Sequence, residues 1–376
     1  MEEPLMGEPV LIQEHQGAGG ALIGHLTLNS ERSLNALSLE MVDRLHATLL
    51  DWQQREEIKC VILDGAGDKA FCAGGDIRAM YDACVAHPGQ RVPEVEAFFT
   101  REYRLDHLIH VYSKPILLWG GGIVMGGGLG LMAGASHRIV TESSRIAMPE
   151  ITIGLYPDVG GTWFLNRMPG HCGRFLGLTG YQMNGLDARY VGLADFAVAD
   201  FRRKQLLTDL CHLEWHNHDA KALIDELLGG YQQQDEAALP ASVLSARQKE
   251  IDDLMAGDDL QSVVERLSGF ESDEKWLDRA AKTFASGSPI TMHLVWHQLT
   301  QGADMTLEQV FEHELVLSVR CAEMGDFVEG VRALLIDKDR QPKWRFTSAA
   351  EVPAAHIDAM VTPPWGVHPL SNWNKE

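Results

Sequence analysis

From Gly120 to Gly134 the chain reads GGGIVMGGGLGLMAG, eight glycines in fifteen residues and no charge. Glycine packs no side chain and loses more conformational freedom on folding than any other residue. A run this dense therefore signals main chain that something must approach closely. Three arrangements use bare backbone in this way. A membrane span meets the length criterion, because Pro115 to Ser136 is 22 residues without a charge, but its apolar content is diluted by glycine. A dinucleotide loop fits Gly128-Leu129-Gly130-Leu131-Met132-Ala133 as G-x-G-x-x-A, with Glu150 at the distance of a ribose-binding acid. Pro149 argues against a strand end at Glu150, however, and no Gly-Lys-Ser/Thr follows for a phosphate loop. The third arrangement is a backbone site for an oxyanion, and it joins two loops. Ala70-Phe71-Cys72-Ala73-Gly74-Gly75-Asp76 follows one strand-like run, and Gly126-Gly127-Gly128 follows the next. Each offers backbone N–H groups with no side chain in the way, and two such donors on one carbonyl oxygen stabilise a tetrahedral intermediate.

The surrounding pattern is α/β. Residues 10–28 read as two short strands around a glycine-rich turn, and residues 38–56 as a helix capped by Ser38. Residues 59–64 and 114–119 read as buried strands, and 65–76 as a loop. Helices are expected at 93–111, opened by Pro93, and at 129–135, with a strand at 137–141 and a loop over 148–161. Beyond about residue 200 the chain turns helical and polar, with a loop at 229–240 and regular structure ending at Pro342. The division expected is a core over residues 1–200 and a mostly helical region over 201–376.

A formal net charge of −21 repels nucleic acid and anionic membrane, so neither is expected as a partner. Six cysteines occur without a CxxC pair. They read as reduced thiols, and with an acidic N-terminus lacking signal or transit character they give a cytoplasmic expectation.

AFCAGGDIRAM, VMGGGLGL and MPEITIGLYPDVGG, in this order and spacing, resemble the crotonase superfamily of acyl-CoA enzymes. The resemblance implies a crotonase-like ββα spiral core with a helical C-terminal region. It also implies an oxyanion hole from the Gly75 and Gly127 N–H groups, with Gly74 and Gly126 beside the substrate. The segment Leu34–Met41 matches the loop around the CoA adenine, which implies CoA contacts at Arg32, Leu34, Ala36 and Lys69. Glu31 stands where the superfamily usually has proline.

Hydratases of this superfamily hold water between two glutamates. The first falls on Gly130, which cannot transfer a proton, and the second on Glu150. Glycine at the first position, Asp158 eight residues after Glu150, and the distal GDFVEGVRALLIDKD and Pro342-Lys343-Trp344 resemble the branch that hydrolyses 3-hydroxyisobutyryl-CoA in valine catabolism. Glu102 in FFTREY matches an acid lining that branch's substrate site; Ser288-Pro289-Ile290 departs from it, since a hydroxyl residue often follows the proline there. The activity implied is hydrolysis of a short-chain 3-hydroxyacyl-CoA thioester, with Glu150 as nucleophile or base and Asp158 positioning water or the substrate hydroxyl. CoA belongs to the substrate, and neither a metal nor a further cofactor is expected. A homo-oligomer is left open. An isomerase or hydratase-like enzyme using Glu150 alone, and an inactive acyl-CoA-binding relative, stay as alternatives.

Plainer readings stand beside these. Asp76 after Gly-Gly suits a helix cap, and Cys72 a small structural residue. Glu102 on an amphipathic helix would ordinarily face solvent. His212, His216 and His218 lack a further ligand for a metal.

Overall fold

A computed structural model describes residues 7–216 and 218–373, so the first six residues of the N-terminus read above lie outside the described residues. The chain forms two compact units, each assembled from three segments.

The first unit comprises residues up to Gly75, Leu105–Ile146 and Met183–Ser245. Its strands are β1 (Val10–Gln16), β2 (Leu22–Leu28), β3 (Ile58–Gly65), β4 (Ala70–Cys72), β5 (Ile116–Gly120), β6 (Ile123–Met125), β7 (His137–Val140), β8 (Arg145–Ala147) and β9 (Phe196–Ala197). Six make a sheet in the order β1-β2-β3-β5-β7-β9, and β4-β6-β8 make a smaller one. Only β1 runs antiparallel in the large sheet, pairing Val10 with Leu28 across the Gly17–Gly20 turn. The others pair parallel, for example Val61 with Ile116 and Leu117 with His137. Ile23, Cys60, Ile62, Leu117, Trp119 and Ile139 from these strands pack with Leu206, Leu210, Ile224 and Leu228 from the helices Arg202–His212 and Ala220–Asp235. Each such side chain contributes about 1.5–3 kcal/mol of burial. The helix Leu39–Gln54 starts where Ser38 accepts the Met41 N–H and buries Met41, Val42, Leu45, Leu49 and Trp52 along one stripe.

The second unit comprises Asp76–Arg104, Ala147–Gln182 and the residues from Ala246 onward. It is helical. Asp76 accepts the Ala79 N–H and so caps the helix Ile77–Ala86, as its place after Gly-Gly suggests. The helix Pro93–His110 begins in this unit, and Cys172–Thr179, Pro289–Gln301 and Leu307–Met324 follow. The last opens with a capping box between Thr306 and Gln309.

Three expectations fail for identifiable reasons. The 65–76 loop contains β4, since Ala70, Phe71 and Cys72 are buried and paired with β6. The 229–240 loop is helical as far as Asp235, because Ile224, Leu228 and Tyr231 anchor a buried stripe that outweighs Gly229 and Gly230. Regular structure resumes after Pro342 in the helix Ala354–Met360, which buries Met360. No helix among the described residues is long and apolar enough to cross a membrane.

Candidate active site

In the first unit the two glycine loops lie backbone to backbone. Gly74 (φ 107°) is in a conformation that L side chains rarely adopt, and a Cβ there would sit 3.3 Å from the Met125 carbonyl oxygen and 3.8 Å from Gly127 N. Gly126 (φ 49°) precedes the helix Gly127–Gly134, so the Gly127 N–H is among the helix's first donors, which have no partner within the helix. A Cβ on Gly128 would lie 2.5 Å from the Cys72 carbonyl oxygen. Only glycine allows this helix to sit so close to β4. The Leu37 N–H donates to the Gly74 carbonyl (2.8 Å) in a short parallel bridge between Leu37 and Gly75. That hydrogen bond does not use the Gly75 N–H.

The same bridge fixes the loop expected to hold CoA. Leu34 and Asn35 both have positive φ, 55° and 56°. The buried Asn35 amide donates to the Ala66 and Ala70 carbonyls (3.0 Å each) and accepts the Ser30 N–H (2.9 Å). The Ala73 N–H donates to the Leu34 carbonyl (3.0 Å). Asparagine tolerates the left-handed region better than most residues, and here its side chain also ties residues 30–38 to the Gly74–Gly75 loop. Ala36 is half-buried, while Arg32 and Lys69 are exposed.

The second unit holds the acids. Glu150 opens the short turn Glu150–Thr152 after Pro149; it is 4% exposed, and its Oε2 has no hydrogen-bond partner. Asp158 is buried, and its Oδ2 lies 2.8 Å from the Tyr103 hydroxyl. Glu102 is buried with Oε1 unpartnered, so the solvated-face reading of that helix position is wrong. Burial raises Glu102 well above the usual carboxylate range, and the Asp158 charge adds to it. Burial also raises Glu150, with Asp158 and Glu102 reinforcing it through charge. Asp158 is pushed up to about 7, chiefly by burial, against the Tyr103 hydrogen bond. Buried carboxyls with raised pKa values gathered in one place make this a candidate functional site.

Glu314 holds the loop carrying Asp158. Fully buried on the helix Leu307–Met324, it accepts the Gly160 N–H at Oε2 and the Thr162 N–H at Oε1, both at 2.8 Å. Those donors begin the helix Gly161–Leu165. Gly160 (φ 87°) and Val159 (φ 51°) both lie in the left-handed region. Sequence reading assigned no role to Glu314, Ser318, Tyr103, Tyr156 or Asn35. A signal existed for two of them: Glu314 and Ser318 fall on the apolar stripe of Phe311 and Leu315. Among the plainer candidates, His212 Nδ1 contacts the Thr208 carbonyl at 2.7 Å on its own helix.

The sequence model of the enoyl-CoA hydratase/isomerase family matches residues 23–361. The chain belongs to that family. It is similar to the mitochondrial 3-hydroxyisobutyryl-CoA hydrolase of Danio rerio, 40% identical over 89% of this chain and 86% of that protein. It is 36% identical to the Homo sapiens protein of the same name over 88% of this chain and 83% of that one. Among solved structures, a carnitinyl-CoA dehydratase from Mycobacterium thermoresistibile matches with a TM-score of 0.85 and 32% identity, covering 98% of this chain and 100% of that one. An enoyl-CoA hydratase from Rhodobacter sphaeroides 2.4.1 matches with a TM-score of 0.79 and 34% identity, covering 95% and 98%. The family member therefore has the crotonase fold, as its motifs implied.

The compartment is corrected by the same relatives. Those hydrolases are mitochondrial, against the cytoplasmic expectation. All six cysteines are free thiols. Free thiols separate oxidising from reducing compartments and do not distinguish one reducing compartment from another.

Proposed function

We propose that this family member hydrolyses 3-hydroxyisobutyryl-CoA to 3-hydroxyisobutyrate and CoA, a step of valine catabolism. The observation that carries the reading is Glu150, a buried carboxyl with an unpartnered oxygen and with Asp158 and Glu102 close enough to act on its charge. The hydrolase names of its relatives, shared over most of the chain, supply the substrate. Gly75 and Gly127 act as oxyanion donors, with Gly74 and Gly126 shaping that backbone. Glu150 delivers the nucleophile, either its own oxygen or a water it deprotonates, to the thioester carbon. The C–S bond breaks, and the departing CoA thiolate takes the proton that Glu150 removed from the water; if Glu150 attacks with its own oxygen, a water then hydrolyses the acyl–Glu150 anhydride, its OH going to the acyl carbon and its proton to the thiolate. Asp158 and Glu102 contact the acyl part, and Arg32, Leu34, Ala36 and Lys69 contact CoA. The chemistry uses no cofactor apart from the CoA of the substrate. Residues 1–200 form the acyl-CoA-binding core in this reading, and 201–376 the helical region.

Thiol release from 3-hydroxyisobutyryl-CoA, compared with isobutyryl-CoA and with hydration of crotonyl-CoA, tests it. The expected result is hydrolysis favouring the hydroxy ester, negligible hydration because Gly130 replaces the first hydratase acid, and loss of most of kcat in Glu150→Gln with ester binding retained. Efficient hydration, or full activity of Glu150→Gln, sinks the reading.

A further inference from the structure

Behind Asp158 runs a line of buried hydroxyls. Asp158 Oδ2 lies 2.8 Å from the Tyr103 hydroxyl, which lies 2.6 Å from Ser318 Oγ. Ser318 Oγ lies 2.7 Å from the Tyr156 hydroxyl, which reaches the Glu314 backbone carbonyl at 2.5 Å. The line therefore has four oxygen–oxygen contacts, and its three hydroxyls bring only three hydrogens. With Asp158 ionised, Tyr103 donates to it, Tyr156 donates to the carbonyl, and Ser318 donates to one tyrosine only. One contact is then left as two oxygens facing each other without a hydrogen, a costly arrangement between buried groups. A proton on Oδ2 supplies the missing hydrogen. Asp158 then donates to Tyr103, Tyr103 to Ser318, Ser318 to Tyr156, and Tyr156 to the carbonyl, one hydrogen per contact.

We infer that Ser318 and Tyr156, acting through the Tyr103 hydroxyl, are positioning residues that keep Asp158 protonated, so that Glu150 is the carboxyl free to ionise beside it. The consequence for turnover rests on the hydrolytic reading; the hydrogen count does not. The titratable groups around Asp158 are Glu102 and Tyr103 on the helix Pro93–His110, Glu150 and Tyr156 on its own loop, and Glu314 and Cys321 on the helix Leu307–Met324. None of them is cationic. The hydrogen bond from Asp158's own backbone N–H and the one from Tyr103 favour its ionised form, and burial outweighs both. The Asp158 charge is the second cause, after burial, of the rise in Glu150. Burial, the larger cause, still opposes ionisation of Glu150, but neutralising Asp158 removes the main charge repulsion against the negative form that a nucleophile or base requires.

Shortening the line reverses the count. Without the Ser318 hydroxyl, two contacts remain with two hydrogens, and the Asp158 carboxylate is satisfied by Tyr103 alone. Without the Tyr156 hydroxyl, Ser318 donates to Tyr103 and Tyr103 to the carboxylate, again complete. Infrared titration of the carboxyl bands in the ligand-free protein reads this directly, with Asp158→Asn assigning the Asp158 signal. Ser318→Ala and Tyr156→Phe are each expected to lower the Asp158 midpoint by about one to two pH units. Ser318→Thr, which restores the hydroxyl, is expected to keep the wild-type midpoint. If Tyr156→Phe fails to fold, Ser318→Ala carries the test. A midpoint unchanged or raised in Ser318→Ala overturns the inference. Because no turnover is measured, this result is independent of the hydrolysis assay.

Discussion

Replacing Gly128 with alanine adds one methyl group at the closest approach between the glycine-rich helix and β4. The new Cβ would lie 2.5 Å from the Cys72 carbonyl oxygen and 2.7 Å from its Cβ, whereas ordinary contact begins at 3.4 Å. The helix and strand must therefore separate by 3.4 − 2.5 = 0.9 Å. The atom in the way is backbone, so no side-chain rotation relieves it, and Cys72→Ala does not rescue the variant. Gly127 is one residue from the added methyl, and Gly75 lies three beyond Cys72. The separation thus falls on the two N–H groups assigned to the oxyanion. Overpacking of this kind costs about 1–3 kcal/mol of stability. A misplacement near 1 Å in a catalytic constellation costs about 10²-fold in rate. Thermal unfolding and thiol release on the same preparation measure both. A variant that loses stability but keeps wild-type kcat would show that the Gly75–Gly127 spacing has no catalytic role, and the oxyanion assignment would be withdrawn.

Gly127→Pro removes the N–H at the first helical position, where proline fits and the donor has no partner within the helix; kcat is expected to fall by about 10²–10³ in a folded protein, checked by single-turnover kinetics. Stability should decline from about pH 4 to about pH 8. Asp158 (about 7) and Glu314 (about 8) both hold their protons more tightly folded than unfolded, so the stability they add is complete at low pH and lost as pH rises through these values. Asp158→Asn should flatten that slope in denaturant titrations across the range, and an unchanged slope would contradict the assigned cause. Arg32 and Lys69 are exposed on the loops flanking the glycine site. Changing both to alanine should weaken binding of CoA esters and reduce its salt dependence, as measured by calorimetry at two ionic strengths.

Much of the site was legible because it is made of backbone. Gly74, Gly75, Gly126, Gly127 and Gly128 announce themselves as bare backbone offered at close range, and the strands before them follow from short apolar runs. Glu150 and Asp158 were legible only through the motif around them, since a lone acid after proline carries no sign of burial. Glu102 shows the limit: its helix has a polar look, and only packing reveals that this acid points inward. Glu314 and Ser318 were harder still. They lie over 150 residues from the loop they serve, and their one trace is polarity on an apolar stripe. The extension of the helix Ala220–Asp235 through two glycines was missed for the same reason, since tertiary burial of Leu228 and Tyr231 outweighs local propensity.

The Glu314 clamp also sets an order of events during synthesis. Gly160 and Thr162 leave the ribosome long before the helix Leu307–Met324 exists, and until it arrives their N–H groups lack the carboxylate that receives them. Val159 and Gly160 are held in left-handed geometry by a partner 154 residues further on. Contacts of such long sequence separation form late, because the chain between them must be closed first. A nascent or truncated chain that stops short of Leu307 therefore carries Asp158 on an unclamped loop, whatever the state of its β-sheet. Chemical competence is acquired only when nearly the whole polypeptide has emerged, so a fragment with a folded sheet would still be an enzyme without its acid in place.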